Sequence, residues 1–298
     1  MTIPVTVIGG FLGSGKTTLL NRILMRSSAR TAVLVNDFGE INVDAALVES
    51  ADDLTFQLSG GCICCSMADG IGPAIERALA ADPANLVIEA SGVGEPRRVA
   101  EFALLRSGLH LDLVVALAHA ADLARQLDDP LVGDIVARQF DGTDLIVLNH
   151  ADRASPEALA QARSVLRRLA PGRAVAQTSF ADVPDDLLTG FPPSAIRPEP
   201  GHDHDRHEDI FARYAFSDGA PFDRRTLGAA LDALPPSVLR LKGWVRLAGE
   251  DGLWLVQFSG GRWTLSPSDD PACKAGLVAI ATEHGLSLSH LLRGSPKK

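Results

Sequence analysis

The chain has 298 residues, 46% hydrophobic and 22% charged, enough for one large core or two ordinary ones. A formal net charge of −9 excludes a broad basic surface for nucleic acid, and no apolar run reaches membrane-spanning length. Three of the four cysteines fall within four residues, which is no disulfide framework and points instead to metal or redox chemistry in a cytoplasmic protein.

Val5-Thr6-Val7-Ile8 is short, apolar and β-branched and predicts a buried strand. It leads directly into Gly10-Phe11-Leu12-Gly13-Ser14-Gly15-Lys16-Thr17, which fits the phosphate-binding pattern G-x-x-x-x-G-K-[ST] and leaves no room for a signal peptide. Leu19, Leu20, Ile23 and Leu24 follow at helical spacing. In this strand–loop–helix setting the backbone N–H groups of Gly10, Gly13, Ser14 and Gly15 can turn inward around phosphate oxygens. Lys16 then reaches the β- and γ-phosphates, and Thr17 offers its hydroxyl to Mg²⁺.

Thr31–Val35 reads as a second strand, running into a polar loop from Asn36 to Asp44 where a switch segment of a nucleotide hydrolase would sit. Thr55–Leu58 is a short strand candidate before Gly60-Gly61-Cys62-Ile63-Cys64-Cys65. In an extended segment Cys62 and Cys64 point the same way, and Cys65 completes three soft ligands on a glycine-flanked turn. Three thiolates suit Zn²⁺ or Cu⁺ and leave a fourth position open, as a transferable metal requires. Residues 71–80 read as a helix with Pro73 in its first turn.

Leu86-Val87-Ile88-Glu89 is an apolar strand ending in a carboxylate, placed to act on Mg²⁺ or its water shell. Gly92, three residues on, can offer its N–H to a γ-phosphate. Leu113–Leu117 and Asp144–Leu148 are further strands; His119 follows the first and Asn149-His150-Ala151-Asp152 the second. That tetrapeptide carries two positions of the guanine signature Asn-Lys-x-Asp, whose Asp accepts from N1–H and the 2-amino group of guanine. A helix over 156–169 with Ser155 as N-cap and a strand over 174–177 complete an alternating α/β pattern, which predicts a mostly parallel sheet with helices on both faces. Thr178 and Ser179 stand where they can approach the base.

Proline-rich turns bound a linker at 191–209 whose His202, His204 and His207 alternate with acids, a pattern shared by loose metal capture and by a plain solvated segment. Residues 210–298 then read as a small α+β domain: strands over 211–216, 238–247, 253–258 and 262–265, a helix over 226–234 and a closing helix over 275–283. The division is therefore 1–190, linker, 210–298.

Together these stretches resemble the CobW-type metallochaperone GTPases, relatives of the urease and hydrogenase nickel-insertion GTPases. The likeness is carried by Gly9 through Thr18, Asn36-Asp37-Phe38-Gly39-Glu40, Gly61-Cys62-Ile63-Cys64-Cys65, Glu89-Ala90-Ser91-Gly92 and Leu239-Arg240-Leu241-Lys242-Gly243-Trp244. It implies a P-loop NTPase fold and Mg²⁺-dependent GTP hydrolysis coupled to delivery of zinc, cobalt or another divalent metal to a client protein, with a homodimer as one assembly to test. It implies that Lys16, Thr17, Glu89 and Gly92 serve hydrolysis. It also implies that Gly10, Gly13, Ser14, Gly15, Thr18, Asn149 and Asp152 hold GTP or GDP, and that Cys62, Cys64 and Cys65 bind metal with help from Glu40. Three positions depart from the family: Asp37 stands for Glu, His119 for Asp and His150 for the guanine-motif Lys. The readings that compete are a zinc buffer or sensor that binds nucleotide without turnover, a small-metabolite kinase and, more distantly, a dithiol redox protein.

Overall fold

The computed structural model describes residues 2–26, 30–35, 55–57, 63–184, 187–188, 212–217, 219–259, 261–268 and 275–294, with backbone alone over 55–57 and 63–70. The chain divides into two compact units, Met1–Thr189 and Gly190–Lys298.

In the first unit β1 (Ile3–Gly10) leads to α1 (Lys16–Arg26), then β2 (Thr31–Val35), β3 (Thr55–Gln57), α2 (Ile63–Ala80) and β4 (Asn85–Glu89). It continues through α3 (Pro96–Ala103), β5 (Leu109–His119), α4 (Leu123–Asp128), α5 (Gly133–Arg138), β6 (Leu145–Asn149), α6 (Pro156–Leu169) and β7 (Ala174–Gln177). The seven strands lie in the order β3-β2-β4-β1-β5-β6-β7, and every pairing is parallel. From β1 the chain crosses through α1 toward β2, whereas from β4 it crosses the opposite way through α3 to β5. With right-handed crossovers these two helices fall on opposite faces of the sheet. Val5, Val7, Leu34 and Ile88 form one apolar core with Ile75 of α2 and Val99 of α3. Successive strand residues point to opposite faces, so Thr6 turns away from that core, and its Oγ1 donates to the Leu188 carbonyl at 2.7 Å. A second apolar cluster joins Ala116, Ile146 and Leu148 to Leu123, Val136 and Leu166 of α4, α5 and α6. β1 is thus the strand whose connection leaves on a different face from that of its neighbours, and a ligand crevice forms at the carboxyl end of such a strand.

The second unit is a five-stranded antiparallel sheet, order β11-β10-β9-β12-β8, formed by β8 (Ala212–Phe216), β9 (Val238–Val245), β10 (Leu253–Ser259), β11 (Arg262–Ser268) and β12 (Gly276–Ala281). Helices α7 (Arg224–Asp232) and α8 (Leu288–Arg293) bury Leu227, Leu231, Leu288 and Leu292 against one face. Asp223 caps α7, its Oδ1 accepting from the Thr226 N–H at 2.8 Å.

The sequence expectation fails in three places. The closing helix over 275–283 is strand β12, because Leu277, Ala279 and Ala281 alternate into the core with period two. Helix α2 begins at Ile63 and contains Pro73 in its interior rather than in its first turn. Helices α3, α4, α5 and α8 were not anticipated; all are eight residues or shorter, too few for a periodic signal. Among the described residues no helix is long and apolar enough to cross a membrane.

Candidate functional site

The loop between β1 and α1 owes its shape to glycine. Gly10, Gly13 and Gly15 have φ of +135°, +77° and +105°, in the left-handed region that a Cβ disfavours. At Gly10 a Cβ would also come within 2.5 Å of the Leu117 carbonyl oxygen, and at Gly15 it would run into the Asn149 side-chain amide. The Ser14 N–H donates to the Phe11 carbonyl at 3.2 Å, closing the turn. Lys16 is 8% exposed, and its ammonium folds over the loop to donate to the carbonyls of Gly10 at 3.0 Å and Phe11 at 3.5 Å. Thr17 and Thr18 occupy the first turn of α1, Thr17 half-buried and Thr18 exposed.

Glu89 ends β4 directly beside Ile8 of β1 and is 2% exposed. The turn that follows is closed by the Gly94 N–H donating to Ser91 O at 2.9 Å. Gly92 lies against the loop: a Cβ there would meet Leu12 Cδ2 at 2.5 Å and the Leu12 nitrogen at 3.2 Å. Lys16, Thr17, Glu89 and Gly92 are therefore gathered at the carboxyl ends of two adjacent parallel strands.

One residue of this region escaped the sequence reading. Gln139 is fully buried at the C-terminal end of α5. Its Oε1 accepts from the Gly10 N–H at 2.9 Å, and its Nε2 donates to the Gly94 carbonyl at 2.8 Å. The preceding Arg138 places Nε 3.3 Å from Glu95 Oε1, while Arg98 holds the other Glu95 oxygen at 2.7 Å. Nothing about a lone glutamine in Ala137-Arg138-Gln139-Phe140 signals such a position in sequence.

The base end is built from the ends of β5 and β6. Asn149 is fully buried. Its Nδ2 donates to the Ser14 carbonyl at 3.0 Å; its Oδ1 accepts from the Ala181 N–H at 2.8 Å and from Thr178 Oγ1 at 3.4 Å. The amide expected to contact nucleotide also ties the phosphate loop to the 178–181 segment. Asp152 lies exposed on a 3₁₀ turn (Ala151–Arg153), where the Asp152 N–H donates to Ser179 Oγ at 3.2 Å. His150 begins that turn in the left-handed region at φ +58°, and its ring stacks on His119 with centroids 4.4 Å apart. Burial holds the His150 imidazole below its ordinary pKa, helped by the neighbouring His119 and Arg153 and opposed by the Gly13 carbonyl and Asp152.

Of the cysteine segment, Cys62, Glu40, the 36–44 loop and the 202–207 histidines lie outside the described residues. The backbone is helical from Ile63, so Cys64 and Cys65 are first-turn positions of α2 and not part of the extended, glycine-flanked turn expected from sequence. Among the described residues no group of three His, Cys, Asp or Glu side chains could hold a metal ion.

The residues present fit a nucleoside triphosphate with Mg²⁺. The cradle turns on three Cβ-free positions, Gly10, Gly13 and Gly15, a buried ammonium lies across it, and a hydroxyl and a buried carboxylate stand on neighbouring elements.

Comparison with known proteins matches both units of the chain to family models, the first of them to a nucleotide-binding domain. Residues 4–177 match the family model described as CobW/HypB/UreG, nucleotide-binding domain, and residues 211–290 match the Cobalamin synthesis protein cobW C-terminal domain. A zinc chaperone CobW from Pseudomonas aeruginosa is 28% identical over 88% of this chain and 81% of its own length. A zinc-regulated GTPase metalloprotein activator 1 from Schizosaccharomyces pombe is 32% identical over 61% of this chain and 47% of its own. The zinc chaperone YeiR of Escherichia coli is 34% identical over 51% of this chain and 47% of its own. With more than half of its residues inside the nucleotide-binding model, the chain belongs to the CobW/HypB/UreG family of P-loop GTPases.

Proposed function

We propose that this protein hydrolyses GTP to drive the handling of a divalent metal, zinc first and cobalt second, which it carries at Cys62, Cys64 and Cys65 with help from Glu40 and hands to a client metalloprotein. The observation that carries the nucleotide half is the Lys16 ammonium laid across a loop of left-handed glycines, with Glu89 and Gly92 on the adjoining strand end. The metal half is supported by the thiol cluster in the sequence and by relatives named as zinc chaperones.

Catalysis in this arrangement is positioning plus electrostatics. Lys16 leaves the loop carbonyls to neutralise the β- and γ-phosphates. Loop N–H groups hold phosphate oxygens, and the Gly92 N–H addresses the γ-phosphate. Thr17 and Glu89 would hold Mg²⁺ and its waters, and that ion would supply neutralisation of the charge developing on the phosphates. Asp152 accepts from the guanine edge, while Asn149 keeps the base loop and the phosphate loop in register. Among the described residues none stands out as a base for the attacking water.

Phosphate release from GTP by the purified protein tests the reading. Turnover abolished by Lys16→Ala supports it. Phosphoryl transfer to an added metabolite in place of water would favour a kinase instead, and binding without turnover would reduce the protein to a buffer or sensor.

A further inference from the structure

Two segments of the nucleotide site have no covalent reason to move together. The phosphate loop follows β1; the Ser91–Glu95 turn follows β4. Gln139 joins them from a third element. Its single side-chain amide is split between Gly10, the first glycine of the loop, at 2.9 Å, and Gly94, at the close of the turn, at 2.8 Å. The side chain is fully buried, so water cannot replace either partner when a bond is lost. The same turn is pinned at its far end by the Glu95–Arg138 pair at 3.3 Å, from the residue preceding Gln139. Behind the loop a Cβ on Gly9 would run into the Pro96 ring, so the start of α3 packs directly on the end of β1.

We propose that Gln139 is a positioning residue that couples the phosphate loop to the Ser91–Glu95 turn, so that a γ-phosphate on Gly92 is registered at Gly10 and at the end of α5 together. The inference rests on the nucleotide reading above and deepens it. An amide is the side chain that can do this, because it offers an acceptor oxygen and an NH₂ donor on one flat group, the NH₂ also reaching the Ile135 carbonyl of its own helix at 3.4 Å. Its length spans from α5 to both backbones. Losing the Gly94 bond frees the turn while leaving the loop held. A diphosphate, which does not reach Gly92, is then little affected, and a triphosphate loses the ordered turn.

The test uses the full-length protein with Mg²⁺, comparing affinities for GDP and for a non-hydrolysable GTP analogue, together with kcat. Gln139→Glu keeps the acceptor for Gly10 and, when the carboxyl is ionised, loses the donor to Gly94, so the comparison is repeated at rising pH. GDP affinity should stay within about twofold and analogue affinity should fall about tenfold, with kcat falling in step. Gln139→Leu removes the bonds to Gly10 and Gly94, together with the weaker one to Ile135, and should weaken both nucleotides. If that variant does not fold, the exposed Arg138→Ala reports instead, with an analogue-selective loss of about two- to threefold. Equal losses for GDP and analogue in Gln139→Glu, or no loss in either, would overturn the coupling. A wild-type protein that binds neither nucleotide would overturn the site reading itself.

Discussion

Asn149→Ala separates two roles that the sequence cannot. A residue that only touches the base would, on truncation, lower guanine affinity and leave the empty protein unchanged. The structure assigns Asn149 to the scaffold: truncation strands the Ser14 carbonyl and the Ala181 N–H at a fully buried position. Each buried partner left unsatisfied costs about 1–3 kcal/mol, so the loss is about 2–6 kcal/mol before any nucleotide is added. With a urea m-value of about 3 kcal/mol per molar, the unfolding midpoint drops by about 0.7–2 M. The chain supplies its own control. Trp244, Trp254 and Trp263, the three tryptophans of the chain, all lie in the second unit, while the first contributes most of the helix signal. Far-UV circular dichroism without nucleotide should therefore show the shift, with the tryptophan-reported midpoint moving less. An unshifted dichroism transition combined with lost GDP affinity would refute the scaffold role and restore Asn149 to the base.

Three further outcomes follow from the same geometry. The His150 imidazole is held below its ordinary pKa of about 6.5, so protonation is harder in the folded state. Its contribution is fully present above that value and is lost as pH falls below it. The first unit should be measurably less stable at pH 5.5 than at 7.5, and His150→Asn, which tolerates the left-handed backbone, should flatten that difference; an unchanged slope would remove His150 as its source. Gly15→Ala places a methyl group against the Asn149 amide at φ +105°, with a strain of about 1–3 kcal/mol. Calorimetric titration should show GDP binding severely weakened while the tryptophan-reported unfolding of the second unit stays in place. Replacing Cys62, Cys64 and Cys65 together by Ser should abolish tight zinc binding in an anaerobic titration and leave GDP affinity intact; retained zinc stoichiometry would move the metal site elsewhere.

The phosphate loop was legible because its chemistry demands glycine, lysine and hydroxyl at fixed spacing after a strand. The parallel sheet was legible because buried strands read as continuous apolar runs separated by helices. β12 was not, since Gly276-Leu277-Val278-Ala279-Ile280-Ala281 is apolar at every position but the first, and such a run fits helix or strand equally until its neighbours are known. Gln139 and the scaffold role of Asn149 were hidden for another reason: their partners lie 129 and 135 residues away in sequence for Gly10 and Ser14. Likewise, His119 and His150 appear as separate departures in sequence, and only the side-by-side pairing of β5 and β6 makes them a stacked pair.

The measurement that reaches the central claim most directly is an anaerobic Zn²⁺ titration of one protein preparation, with GDP bound and with a non-hydrolysable GTP analogue bound. A carrier driven by nucleotide must hold metal differently in its two states, and a ligand can shift an equilibrium only by its differential affinity. The account predicts zinc affinities that differ by about fivefold or more between the two states, with the difference lost in Lys16→Ala. Identical affinities would contradict it.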